Sequence, residues 1–367
     1  MINLGFFPSR RLALYMVRLF VTRSLAVLIA LVLVLMTLDL LGESGKILAV
    51  PGNGDAQLWH YVALRLPLLA SRFLPFSILL GTLIAFVGLN QNSEVVAMKA
   101  AGLSAHQILA PLVLASTVIA AGLFLFNETV VVKSAGAVTA WTDNDYKPIP
   151  PQSGVLSNVW TLSGDDLIRA GLVVGHRPNL RLQQVAIYDR TGSTLSRIIV
   201  AASAEPIRGS DQWLLHDVSI YDANMNAVQK LAKLPAMAGV TPSQLTLARV
   251  EPTELDYWTL KRRTAELEAA GRPSDEARAG LAHKISSPLS TLLMPLLAAV
   301  AAFGLARSGQ VLMRAATGMA LGFAYFVADN FSLAMGNAGA YPPMVAAWAP
   351  FLLFLLIGET VLVRTEE

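Results

Sequence analysis

Five histidines could bind a metal or move a proton: His60, His106, His176, His216 and His283. None falls in the His-Glu-x-x-His spacing that would set two imidazoles on one helical face around zinc, so no metal site is expected. The chain has no cysteine, which removes disulfides, thiolate nucleophiles and cysteine-bound metals. Gly42-Glu43-Ser44-Gly45-Lys46 looks in part like a phosphate-binding loop. That loop needs glycine where Leu40 stands and Ser or Thr where Ile47 stands, so it is rejected. There is no Gly-x-Ser-x-Gly elbow. No Ser/Lys or paired-Asp set lies inside an apolar segment. Asn127-Glu128-Thr129 fits a glycosylation sequon, a three-residue pattern that arises cheaply. No catalytic residue and no cofactor are expected; if ATP drives this protein, another chain binds and hydrolyses it.

Two polar sets remain. The first is the segment Gln91–Gly102, Gln-Asn-Ser-Glu-Val-Val-Ala-Met-Lys-Ala-Ala-Gly. Asn92 or Ser93 can cap a helix, Glu94 favours its positive end, and Gly102 can close it. A two-turn helix results, with Val95, Met98 and Ala101 on one side. It is either a tight turn between two helices or a coupling helix that docks on a partner; Ser93, Glu94, Val95, Met98 and Lys99 are the coupling candidates. The second set is Asp39, Lys46, Arg65, Arg72 and Asp329, at the outer ends of apolar segments. Charges near bilayer depth are costly and often line a cavity or pair with each other. Arg65 and Arg72 are seven apart and share a helix side. Cations facing an outer-leaflet cavity suit a phosphorylated lipid; snorkelling to the interface accounts for them equally. Asp329 with Asn330 also reads as a helix-packing hydrogen-bond pair.

The elements that position these residues are apolar helices. The 367-residue chain is 54% hydrophobic and 14% charged, where a soluble domain carries about 25% charged residues. A net charge of +3 with no dense basic patch excludes a nucleic-acid footprint. Six segments are long enough to span: 24–41, 66–89, 108–127, 285–306, 315–335 and 344–363. The first follows a basic start but ends without a small-x-small site, which predicts an uncleaved helix. Arg10, Arg11, Arg18, Arg23, Lys99, Arg307, Arg314 and Arg364 fall on one side of the membrane, and Lys46 alone in the short loops of the other. Both termini are therefore expected inside, and the long insert outside.

Within the insert, alternation and β-branched residues predict strands over 155–162, 167–174, 180–188, 195–202 and 213–221. Turn signals at 163–166, 176–179, 189–193 and 208–211 separate them. A sandwich, a jelly roll or an open barrel all fit. Residues 254–270 then read as a helix with a charged face, stopped by Gly271-Arg272-Pro273.

Taken together, the layout and several motifs resemble the LptF/LptG lipopolysaccharide export permease family over essentially the whole chain. The motifs are Phe73-Leu74-Pro75 leading to Asn92–Gly102, Val159-Trp160-Thr161-Leu162 with Gly164-Asp165-Asp166, Ser286-Ser287-Pro288-Leu289, and Gly318–Phe323 through Asp329-Asn330-Phe331. The Trp-containing strand and the Asp after the fifth-segment glycines look more like the LptG side of the family. The resemblance implies a bacterial inner-membrane permease with cytoplasmic termini and a periplasmic β-jellyroll, arranged as 1–127, 128–279 and 280–367 with a coupling helix at about 92–102. It implies an ATP-driven extraction of lipopolysaccharide from the outer leaflet, through lateral gates at the first and fifth spans. The implied partners are a paralogous LptF-like permease, a cytoplasmic LptB-like ABC ATPase dimer, a single-span LptC-like regulator and an LptA-like bridge protein. By the same resemblance Glu94 engages the ATPase groove. Relatives often carry lysine at the outer end of the first span and after the second-span proline, where this chain has Met36 and Leu68. A permease for another envelope lipid and a membrane scaffold are the rival readings.

Overall fold

A computed structural model describes residues 8–148, 156–175, 180–191, 194–207, 210–222, 227–247, 250–303 and 311–364. His176 with its turn at 176–179, Gly192 and Ser193 of the 189–193 turn, Arg208 and Gly209 of the 208–211 turn, Arg307 and the Arg314 side chain lie outside the described residues.

Ten helices and six strands follow in order: α1 Arg10–Leu48, α2 Asp55–Gln91, α3 Glu94–Ala100, α4 Ala105–Phe126, α5 Val132–Asp143, then β1 Leu156–Ser163, β2 Asp166–Val174, β3 Arg181–Thr191, β4 Thr194–Pro206, β5 Trp213–Asp222 and β6 Ala227–Ala236, then α6 Pro242–Leu247, α7 Tyr257–Ala269, α8 Asp275–Phe303, α9 Val311–Asn337 and α10 Pro343–Arg364. A π-helical stretch, Asn127–Val131, joins α4 to α5. Four helical runs among the described residues are long and apolar enough to cross a bilayer: Arg10–Leu48, Asp55–Gln91, Ala105–Asp143 and Pro343–Arg364. The predicted fourth and fifth segments fall in α8 and α9, which have 29 and 27 residues.

The helices overrun the apolar segments. At 39 residues α1 is about 58 Å long, against a hydrocarbon core of about 30 Å, so its ends project. Gly42–Lys46 lies in the last two turns of this helix rather than in a phosphate-cradling loop. The third segment likewise continues past Asn127 to Asp143. Prolines sit inside α2, α4, α8 and α10, tolerated where neighbouring helices and hydroxyls satisfy the freed carbonyls. The Thr291 hydroxyl of α8 donates to the Pro288 carbonyl at 2.7 Å, so this polar side chain is satisfied within its own helix.

Apolar side chains from α1, α2, α3, α4, α8, α9 and α10 form one core, including Phe20, Ile78, Phe86, Ile108, Leu297, Tyr325 and Phe354. Between apolar helices in a bilayer the drive to pack is van der Waals contact, which small residues permit. At Gly81 a Cβ would lie 2.4 Å from the Ser24 hydroxyl and 2.5 Å from its Cα, so α1 and α2 touch there nearly backbone to backbone.

The strands form one antiparallel sheet in the order β1 to β6, each paired with its sequence neighbours. The domain expected to be jellyroll-like is an antiparallel sheet of six strands among the described residues. A jelly roll needs Greek-key crossovers between two sheets, whereas the described strands make a simple meander. The sheet curls, since Ser163 at the end of β1 donates to the Ala238 carbonyl just beyond β6, at 2.8 Å. Its inner face packs Val159, Ile168, Leu182, Val185, Trp213 and Leu215. The Trp213 indole finds its partner at the Val240 carbonyl, 2.8 Å away. Strand β6 carries Lys230, Lys233 and Pro235 and is paired with β5 alone, an edge position where proline costs no ladder bond. The short link 270–274 folds α7 back on α8, where Leu260 and Leu267 pack with Ala277.

Candidate functional site

Two polar regions form, at opposite ends of the helices. At the end where α2 meets α4, Ser93 breaks α2 from α3 by taking a left-handed conformation, φ 59°, and makes no side-chain cap. The capping expected of Asn92 or Ser93 is therefore absent; the Asn92 amide instead reaches the Glu94 carboxylate at 3.4 Å. Gly102 closes the turn at φ +84°, with its N–H on the Lys99 carbonyl at 2.9 Å and the Leu103 N–H on the Met98 carbonyl at 3.1 Å. Ser104 and Gln107 then cap α4 reciprocally, at 3.2 and 3.1 Å. The whole segment is fixed at both ends.

Val95 and Met98 are buried in the main core beside Met16, Leu89 and Ile108. Of the coupling candidates, these two anchor the short helix and are not presented outward. Ala101, assigned to the same side, is exposed. The outward face is Ser93, Val96, Ala97 and Lys99, with Val96 66% exposed. Glu94 is half-buried and accepts from the Tyr15 hydroxyl of α1 at 3.3 Å. Also on this side, His106 of α4 lies 3.3 Å from Glu359 of α10.

At the opposite end, the candidate lipid-binding charges are largely paired. Arg65 grips Asp39 with two bonds, 3.1 and 3.0 Å, and the Tyr61 hydroxyl donates to the same carboxylate at 2.7 Å. Lys46 pairs with Glu43 at 2.9 Å, one turn away. The Tyr146 hydroxyl also donates to Glu43, at 2.6 Å. Burial and that bond push the Tyr146 hydroxyl up to about 12. Met36 is buried among Tyr61, Trp141 and Tyr146, so the outer end of α1 is held by apolar and aromatic packing. Asp329 meets His283 of α8 at 3.1 Å, while Asn330 turns to its own helix at the Phe326 carbonyl, 2.8 Å. The Asp329–Asn330 packing pair is thus replaced by a contact between helices. Arg72 is exposed and has no carboxylate partner among the described residues.

The least expected contact joins Glu128, in the π-helical stretch, to Lys284 at 2.9 Å. Their side chains are 13% and 12% exposed, so this ion pair is largely desolvated. Glu128 also accepts the backbone N–H of Tyr257, the first residue of α7. Next to it the Ser71 hydroxyl reaches Asn127. Only one sequence signal existed: an acid at the end of one apolar segment and a base at the start of another. His283 and Lys284 therefore tie α8 to α9 and to the α4–α5 rod at one level. No group of three potential metal ligands occurs among the described residues.

A bundle of long apolar helices, a curled antiparallel sheet following the third of them, and polar groups gathered at the helix ends are the features of a multi-pass membrane protein. The family described as "Lipopolysaccharide export system permease LptF/LptG" matches residues 14–364, and the chain belongs to it. It is a family of transport permeases, not of enzymes. Among similar curated proteins is the lipopolysaccharide export system permease protein LptG of Escherichia coli K12, 25% identical over 352 residues, covering 93% of this chain and 94% of that protein. LptG of Haemophilus influenzae is 24% identical over 327 residues, covering 86% of this chain and 89% of that protein.

Proposed function

We propose that this chain is an LptG-like subunit of an ABC transporter that draws lipopolysaccharide from the outer leaflet of the inner membrane. Six spans, α8 and α9 included, place both termini in the cytoplasm and the sheet domain, inserted between the third and fourth spans, in the periplasm. The paralogous permease completes a central cavity, and a cytoplasmic ATPase dimer supplies the energy. The sheet domain hands lipid to a single-span regulator and then to a bridge protein.

The observation that carries this reading is the anchoring of α3. Val95 and Met98 root the short helix in a core shared by six other helices, so a push on its outer face is transmitted to the bundle as a whole. Ser93, Glu94 and Lys99 remain coupling residues, and Val96 joins them as the outward apolar contact. Val95 and Met98 act by rooting the helix. A ligand or partner shifts a conformation only by contacting its two states differently. The ATPase groove does so here by gripping α3 in its closed state, narrowing the cavity. Arg72 is the cation left to meet a lipid phosphate, since Arg65 and Lys46 already hold carboxylates.

Glu94→Lys and Val96→Asp variants test this in the reconstituted complex. Both are expected to leave the chain folded and to uncouple ATP hydrolysis from lipid release. Wild-type lipid release by both variants sinks the assignment of α3. Mass spectrometry of the copurified lipid separates lipopolysaccharide from another envelope lipid.

A further inference from the structure

At the foot of the sheet domain the structure holds a helix end that no part of the transport reading uses. The first turn of α7 exposes Trp258 by 74%, with the Lys261 ammonium 5.9 Å from its ring centroid. Leu260, Thr264 and Leu267 face inward, while Lys261 and Arg262 face out with Trp258. A large indole left in water is unfavourable, and tryptophan beside cations is the pattern of a membrane–water interface.

The height of this turn is fixed by two helices. Glu128 lies one residue past the predicted end of the third apolar segment, and Lys284 one residue before the predicted start of the fourth. They pair with each other, and Glu128 also accepts the Tyr257 N–H. The start of α7 is thus held at the level where both helices leave the hydrocarbon. On α2, Trp59 in the second turn is 73% exposed at the same outer end of the bundle.

We propose that the first turn of α7 is seated in the outer-leaflet headgroup layer. The Trp258 ring sits at the acyl boundary, and Lys261 and Arg262 meet lipid phosphates. This rests on the reading of α4 and α8 as membrane spans. The helix runs back along α8 to its outer tip and borders α6 beneath the sheet. Its seat therefore sets the height of the sheet domain above the bilayer.

The test uses the full chain in nanodiscs of mixed zwitterionic and anionic phospholipid. The emission of Trp258, taken as the difference between wild type and Trp258→Phe, is expected to be lost with lipids brominated near the top of the acyl chain. Little of it is expected to be lost to aqueous iodide. Loss to iodide without loss to bromolipid overturns the proposal. Because the chain has no cysteine, single nitroxide labels give a second measurement. Oxygen accessibility at Trp258→Cys should exceed that at Glu268→Cys, and equal values overturn the seat. A label at Leu33→Cys on α1 reads the spans themselves. A lipid-like signal there keeps any failure at α7 separate from the span reading, and a water-like signal overturns both.

Discussion

Removing one member of the Glu128–Lys284 pair should destabilise the chain far more than removing both. At about one-eighth exposure on each side, neither charge can be rehydrated without moving helices. Breaking a buried pair from one side costs roughly 3–5 kcal/mol, whereas an exposed pair contributes about 1 kcal/mol or less. Glu128→Ala also leaves the Tyr257 N–H without its acceptor, a further loss of about 1–3 kcal/mol. Lys284→Met keeps that acceptor, so it should be the milder single change. The double variant Glu128→Gln with Lys284→Met removes both charges and retains an acceptor for Tyr257. It is expected within about 1–2 kcal/mol of wild type, because replacing a buried pair with neutral groups is often nearly free. The assay is reversible denaturant unfolding of the purified chain in detergent, run as a double-mutant cycle of Glu128→Gln, Lys284→Met and their double variant, with a coupling of at least about 2 kcal/mol expected. Single effects below about 1 kcal/mol, or effects that simply add, refute the view that this contact is a desolvated clamp.

Gly81→Val should abolish monodisperse protein on size exclusion, because its Cβ would meet Ser24 backbone at 2.5 Å; Gly88→Val, with nothing within 4 Å, should be tolerated. Asp256→Ala should cost about 1 kcal/mol, since the Asp256 carboxylate accepts the Thr259 N–H at 3.0 Å and caps α7. Burial alone would raise the Asp256 carboxyl, but hydrogen bonds from Thr259 and neighbouring backbone hold it below its ordinary value. A carboxylate depressed by folding contributes stability above its unfolded pKa and loses it as pH falls through the folded value. The gap between wild type and Asp256→Ala in denaturant titrations should therefore close in acid and stay open at neutral pH. Arg72→Glu should reduce copurified phosphorylated lipid more than Lys46→Glu does, and equal losses count against Arg72 as the lipid cation.

The helix-breaking role of Gly102 was legible because a residue that must take positive φ beside a capping pattern is a local event. Four of the apolar spans were legible for the same reason, since twenty consecutive apolar residues need no neighbour to be recognised. Five strands followed from alternation. The sixth, Ala227–Ala236, did not, because Lys230, Lys233 and Pro235 disfavour a strand until β5 supplies the pairing. The choice among sandwich, jelly roll and open barrel stayed open at the same level: strand content is local, but strand order is a property of the closed sheet.

Sequence by itself determined which stretches are long and apolar, which residues turn the chain, and which family the chain resembles. Only the tertiary structure decided what each charge faces. Arg65 and Asp39 are 26 residues apart, and Glu128 and Lys284 156 apart. Nothing local encodes such pairs. Likewise Val95 and Val96 are the same residue type on one seven-residue helix, yet one is rooted in the core and the other faces out. The rotation and depth at which separate helices settle against one another fix these choices, and those come from the packing of the whole bundle.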